Sequence, residues 1–164
     1  MKAGTPGLLI SVILFSLLAL IFAVPFLYAP GTFYNLNGTS GILDHEWSAS
    51  QFIYALGDIL CHQETGRSFI VNGSQVAMCS RDVGMITGCA VTLLLTFNYV
   101  GKYPFTEQKI TYLGLLLLLI MITEWVVGAT VGYNLIYLRF LFGAIGGAGI
   151  ALIIQNIASE PWKK

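Results

Sequence analysis

Charged side chains are scarce in this chain. Asp, Glu, Lys and Arg together make up 10% of its 164 residues, the formal net charge is zero, and no cluster of basic residues occurs. Nucleic acid would find no electrostatic footprint here, and nothing grips acidic lipid through a polybasic patch. No glycine-rich phosphate loop is present either. What fills the chain instead is hydrocarbon: 56% of the residues are hydrophobic and the mean hydropathy is +0.77, far from the balance of a soluble domain. This is the composition of an integral membrane protein, and the length suits one compact membrane domain over residues 1–164.

Four segments are apolar enough to cross a hydrocarbon core of about 30 Å, which takes roughly 20 helical residues. They lie at about 8–28, 83–100, 110–128 and 135–154. The first follows Lys2 and resembles a signal peptide. Pro30 after Ala29, and Leu27 where a small residue is wanted, make a poor cleavage site, so a retained helix is expected. With four spans, Lys2, Lys102, Lys109, Lys163 and Lys164 all fall on one side, which the positive-inside rule makes cytoplasmic. Both termini are then cytoplasmic in a multi-pass protein of the cell membrane. The opposite side receives the segment 29–82 and the short turn 129–134. Within the former, residues 46–60 (EWSASQFIYALGDIL) are too few to span and read as an interfacial or re-entrant helix, followed by an ordered outer loop at 61–82. Two glycosylation tripeptides, at Asn37 and Asn72, fall on this outer side. The expected fold is all-α: a bundle of four transmembrane helices with an outer helix and loop.

The polar residues concentrate in Asp58–Gly84, DILCHQETGRSFIVNGSQVAMCSRDVG. Helix continuing through His62 would put Asp58, Cys61 and His62 on one face. Cys61 and Cys79 invite a disulfide closing a loop of about 18 residues, worth on the order of 3 kcal/mol. Cys61 and His62 together with Cys79 and Asp82 equally supply the sulfur, nitrogen and oxygen donors that zinc accepts. Spacing alone leaves both open, and in regular helix the adjacent Cys61 and His62 cannot both face one ion. Cys89, inside a span, reads as a packing residue, and His45 as a solvated loop residue or an additional ligand. Glu124 and Arg139 are intramembrane charges, which are costly and normally compensated, so they are expected to approach each other across the short 129–134 turn. The pairs Gly84/Gly88 and Gly143/Gly147 have the G-x-x-x-G spacing that brings helices close, making the second and fourth spans expected neighbours.

CHQETGRSF followed by CSRDVG resembles the signature of domain-of-unknown-function family 2085, small predicted membrane proteins with a C-H-Q-x-x-x-R-S-F motif and, about ten residues on, C-x-R-C-x-G. Cys61, His62, Gln63, Arg67, Ser68, Phe69, Cys79, Arg81 and Gly84 stand at the matching positions, and Glu124, Asn134, Arg139 and Gly143 look like counterparts of a later acidic residue, an Asn and an L-R-x-x-x-G element. The last cysteine of the family pattern is Asp82 here. One His and three Cys read as a metal site, and aspartate still ligates zinc, so the resemblance favours metal over disulfide. The family name carries no reaction.

These residues imply a divalent-metal site, zinc-like, held by Cys61, His62, Cys79 and Asp82. Glu124 is the candidate general base, Arg81 and Arg139 are the catalytic cations, and Gln63, Arg67 and Asn134 are the candidate substrate contacts. Four protein ligands would leave no open position, so a membrane-embedded metalloenzyme acting on a lipid or other anionic group requires one of them to stand back from the metal. The alternatives are a non-enzymatic subunit or assembly factor of a larger membrane complex, pinned by a structural metal or a Cys61–Cys79 disulfide, and an ion or metal transport component that would need homo-oligomerisation to build a pathway. Single cysteines introduced at positions 36 and 72 should react with an impermeant thiol reagent from outside intact cells, and those at 102 and 163 should be protected; outside labelling at 102 would invert the topology.

Overall fold

The computed structural model describes residues 5–39, 41–43, 45–97 and 107–159. Its frame is helical. α1 (Thr5–Ala23) opens with Pro6 in its first turn, where a missing N–H costs nothing, and gives way at Pro25 to a 3₁₀ turn, Val24–Leu27. α2 is Phe52–Leu60, α3 is Ser80–Thr96, α4 is Glu107–Val131 and α5 is Ile136–Ser159. Between α2 and α3, Ile70–Val71 (β1) and Ser74–Gln75 (β2) form a small antiparallel hairpin.

Among the described residues, three helices are long and apolar enough to cross a membrane: Pro6–Leu27, Gln108–Val131 and Ile136–Ile157. They correspond to the expected spans at 8–28, 110–128 and 135–154. The span expected at 83–100 starts earlier, at Ser80, with Cys79 extended at the N-cap position (φ −68°, ψ 158°) and making no side-chain capping bond. α3 has 17 residues, roughly 25 Å at 1.5 Å each, short of the hydrocarbon thickness. Residues 98–100 of that expected span, and Lys2, Lys102, Lys163 and Lys164, lie outside the described residues.

α3 packs against α5 and α1, and α4 lies along the other side of α5. The α3–α5 contact is made backbone to backbone. A Cβ on Gly88 would overlap the Ala144 carbonyl, and one on Gly147 would overlap the Met85 carbonyl; Gly84 and Gly143 meet Phe140 and Arg81 in the same way. The two G-x-x-x-G pairs thus interlock with each other. α1 is tied on by Ser11, whose hydroxyl donates to the Ala90 carbonyl at 2.8 Å.

The described residues between 29 and 79 form a cap over one end of the helices. Phe33, Tyr54 and Trp47 stack successively, with centroids 3.9 Å apart for Phe33–Tyr54 and 5.5 Å for Trp47–Tyr54. Ile53, Val76, Ala77 and Met78 complete a core that continues into Ile21, Val24 and Val83 of the bundle. The hairpin turns at Asn72-Gly73, both with positive φ (50° and 70°), the turn that matches the right-handed twist of paired strands. Asn72 is also held by its side-chain amide, which donates to the Pro25 carbonyl at 2.9 Å, so this tripeptide is a structural turn.

The helix expected over 46–60 is helical only from Ala49, beginning as a 3₁₀ turn, and stops at Leu60. Its buried face, Ile53, Tyr54, Gly57 and Asp58, packs into the cap, while Phe52, Ile59 and Leu60 are exposed. Asp58 is fully buried and accepts from the His45 amide (3.0 Å), the His45 ring (3.1 Å) and the Trp47 indole (3.0 Å). Burial alone would raise its pKa, but these hydrogen bonds outweigh it and hold the carboxyl below its ordinary value. His45, weighed as a further ligand, therefore ties its loop to α2. Replacing Gly147 by Ala should destabilise the protein by about 1–3 kcal/mol or more, because neither backbone can yield without parting the helices; the same change at Gly132, where nothing lies within 4 Å of the new methyl, tests only local φ strain. Thermal unfolding of both variants in detergent checks the contrast.

Candidate metal centre and its arginines

The chain leaves α2 at Leu60, and Cys61 is extended, with φ −141° and ψ 154°. Extended backbone sends successive side chains to opposite sides. Cys61 accordingly turns inward and is buried, His62 turns out and is exposed, and Gln63 turns in again and is fully buried. This corrects the expectation that Asp58, Cys61 and His62 share a helical face. It also leaves His62 outside the donor cluster. Cys61, Cys79 and Asp82 do come together: one sulfur from each cysteine and a carboxylate oxygen lie within 4.8 Å of one another. The Cys79 amide donates to Cys61 Sγ at 3.3 Å, and the Cys79 thiol donates to Asp82 Oδ2 at 2.9 Å. Both cysteines are free, as is Cys89, which packs with Leu93 and Ala151 as expected of a small apolar group.

The hydrogen bond with Cys61, then burial, then the neighbouring Asp82 charge push the Cys79 thiol far above its ordinary range. Two thiols and a carboxylate this close form a soft, anionic donor set once deprotonated, and a divalent cation is what would deprotonate them.

Gln63 is a bracket. Its side-chain amide donates to the carbonyls of Tyr54 and Ala77, both at 2.9 Å, and its own carbonyl accepts from Gln75 at 2.6 Å. It takes a left-handed φ of 45° to do so. Gln63 thereby locks the end of α2 to the irregular segment that leads from β2 into Cys79. Asn134, in the α4–α5 turn, donates to the Gly66 carbonyl at 2.7 Å and so holds the 3₁₀ turn Thr65–Arg67 over the helix ends. Each of these amide nitrogens is thus engaged with backbone, while Gln63 Oε1 is buried without a hydrogen-bond partner.

The charges also pair differently from expectation. Glu124 meets Arg81, not Arg139: Arg81 Nη2 lies 2.7 Å from Glu124 Oε2, with both side chains largely buried. Tyr133 donates its hydroxyl to the other carboxylate oxygen at 3.1 Å. Burial, and then that hydrogen bond, raise the phenol pKa. A cation in the first turn of α3 opposes the helix dipole, so Glu124 supplies compensation that the helix cannot. Arg67 pairs at 2.9 Å with Glu64 on the surface. Arg139 is only 6% exposed, yet it forms no ion pair among the described residues. Its electrostatic neighbours are Arg81 and Arg67, which repel it, and Glu124 and Cys79. Ser80 Oγ, Arg81 Nε and Arg139 Nε are buried without a protein hydrogen-bond partner.

Glu124→Gln should cost about 3–5 kcal/mol by stranding Arg81 in the bundle, whereas Arg139→Met should be close to neutral or stabilising. A double-variant cycle in detergent should show strong coupling of Glu124 with Arg81 and weak coupling with Arg139. The reverse pattern would contradict the pairing.

The family model of predicted membrane proteins designated DUF2085 matches residues 61–153. Uncharacterized protein MJ1492 of Methanocaldococcus jannaschii is 31% identical over 111 residues, covering 66% of this chain and 69% of that protein. No solved structure matches the chain. The match opens at Cys61, includes Cys79, Arg81 and Glu124, and runs past Arg139 through most of α5, so the chain belongs to the DUF2085 family of predicted membrane proteins.

Proposed function

We propose that this membrane protein holds a divalent, zinc-like metal through Cys61, Cys79 and Asp82 on the extracytoplasmic side of a four-span topology, and that it acts there as a metal-dependent enzyme on a lipid or other anionic substrate. The observation that carries this reading is the convergence of the three donor atoms within 4.8 Å from two separate motifs. Mixed thiolate and carboxylate ligation is within zinc's range, and three protein ligands with one position open is the count found in catalytic rather than structural zinc sites. Bound there, the metal would supply a Lewis acid and a water activated near neutral pH. The exposed His62 stands next in the chain to Cys61 and belongs to the surroundings of the site, which resolves the crowding that four ligands would cause.

The chain's own residues then divide the work. Arg81, steadied by Glu124, and Arg139 would bind the substrate's negative charge, with Arg67 at the rim. Glu124 already accepts from Arg81 and Tyr133, so a role as general base would require it to exchange one of these contacts. A second reading has its own support: the Cys79 amide on Cys61 Sγ brings the two cysteines to one place, as a structural disulfide in a non-enzymatic subunit would also require.

Elemental analysis of protein purified without chelator should find about one divalent ion per chain, lost in the Cys61→Ser, Cys79→Ser double variant. Metal-free protein with no titratable thiol at Cys61 and Cys79 would establish the disulfide reading instead.

A further inference from the structure

α2 is amphipathic in the reverse sense. A helix on a water-facing surface turns its charged residues outward, but the one charged residue of Phe52–Leu60, Asp58, points inward and is fully buried. The outward face is hydrocarbon. Phe52, Leu56 and Ile59 follow at the spacing of a single helical face, and Phe52, Ile59 and the neighbouring Leu60 are between 47% and 59% exposed. The adjoining loop extends the same surface, because the Gly41 amide donates to the Ile59 carbonyl at 2.8 Å and so sets Ile42 and Leu43, both 56% exposed, beside the end of α2. Large apolar side chains gathered in one exposed patch mark a contact with a protein or a membrane.

The way α2 is attached favours the membrane. Just before its start, Ser50 accepts from the Tyr28 hydroxyl at 2.9 Å, where the chain leaves the 3₁₀ turn that ends α1; just after its end, Cys61 Sγ accepts from the amide of Cys79, the residue before α3. α2 therefore lies across the ends of α1 and α3. Phe26 and Leu27, 66% and 75% exposed, bring the apolar surface of the membrane-crossing segment Pro6–Leu27 up to the point of attachment, so the outward face of α2 continues a surface already suited to lipid. Phe52, Ile59, Leu60, Ile42 and Leu43 carry no side-chain hydrogen-bonding group. Nothing in the patch would orient a protein partner, whereas acyl chains require no orientation.

We infer that the outward face of α2, together with Ile42 and Leu43, is sunk in the acyl-chain region of the leaflet that adjoins the cap, so that this helix is packed between the cap core on one side and lipid on the other. Cys61 directly follows Leu60. The anchoring thus holds the Cys61–Cys79–Asp82 cluster at the boundary between hydrocarbon and headgroups, whether or not a metal is bound and whichever side of the membrane the cap occupies.

The test places the photoreactive residue p-benzoylphenylalanine at position 52, 59 or 42 of the full-length protein, one position at a time, in phosphatidylcholine nanodiscs and in the membranes of the expressing cells. All three positions are about half-exposed, and position 42 belongs to no helix, so at least one substitution leaves the fold in place. Leu116, 52% exposed on the membrane-crossing segment Gln108–Val131, is the lipid-facing reference, and the exposed Glu46 of the loop before α2 is the polar one. After illumination, mass spectrometry should find acyl-chain adducts at 52, 59 and 42 in a yield comparable with position 116 and on the order of tenfold above position 46. The Cys61→Ser, Cys79→Ser background should give the same pattern, which separates this anchoring from the metal reading. Yields at the level of position 46, adducts confined to headgroups, or crosslinks to a second copy or to another membrane protein while position 116 still labels lipid would each overturn the assignment of this face to the bilayer.

Discussion

Direct backbone contact between α3 and α5 determines where the charged groups of the bundle lie. Gly84 and Gly88 lie against the backbone of Phe140 and Ala144, and Gly143 and Gly147 against that of Arg81 and Met85, so the approach of the two helices is limited by carbonyl and Cα atoms. Arg81 stands one helical turn before Gly84 and Arg139 one turn before Gly143, so the same contact brings both arginines into one small region. Two cations so close in a low-dielectric setting repel strongly unless anions are supplied. α4 brings Glu124, which pairs with Arg81, and Asp82 follows Arg81 in the same turn of α3.

The cap solves a different problem. It has only short helices and one small hairpin to organise some fifty residues, and buried amides take the place of longer elements. Gln63 and Gln75 bridge backbone groups, Asn72 fastens the hairpin to the end of α1, and Asp58 gathers His45 and Trp47. Apart from Gln63 Oε1, which is buried without a partner, the polar atoms named here are hydrogen-bonded, the condition on which buried polar side chains add rigidity instead of cost. The consequence is positional. Cys61 and Cys79, eighteen residues apart, are presented to each other by an ordered strand and a bracketed helix end. In C-H-Q, the cysteine and the glutamine face in and the histidine faces out, so one tripeptide contributes a donor, a surface group and a structural clamp.

The Cys61–Cys79–Asp82 cluster and the arginine cluster meet at the start of α3. Cys79 caps the helix, Ser80 and Arg81 follow, and Asp82 reaches back to the Cys79 thiol. A metal bound by Cys79 and Asp82 and an anion bound by Arg81 would therefore sit on neighbouring residues of one helical turn.

Much of this protein was legible in its sequence because the signals involved are local or compositional. Uniform apolarity marks the membrane helices whatever their neighbours, glycine spacing marks a close helix contact, and the density of polar residues between Asp58 and Gly84 marks the site. The Asn72-Gly73 turn has a local cause too, an Asn-Gly dipeptide in which both residues take positive φ. Tertiary structure alone decided the rest. Whether Glu124 pairs with Arg139 or with Arg81 depends on how three helices rotate about their axes, which a sequence of apolar residues on every face does not specify. Whether His62 joins Cys61 depends on α2 stopping at Leu60, a choice made by the Gln63 bracket and its contacts 14 residues downstream at Ala77. Periodicity assigns a residue to a face of its own element; only the packing of distant segments decides what that face meets.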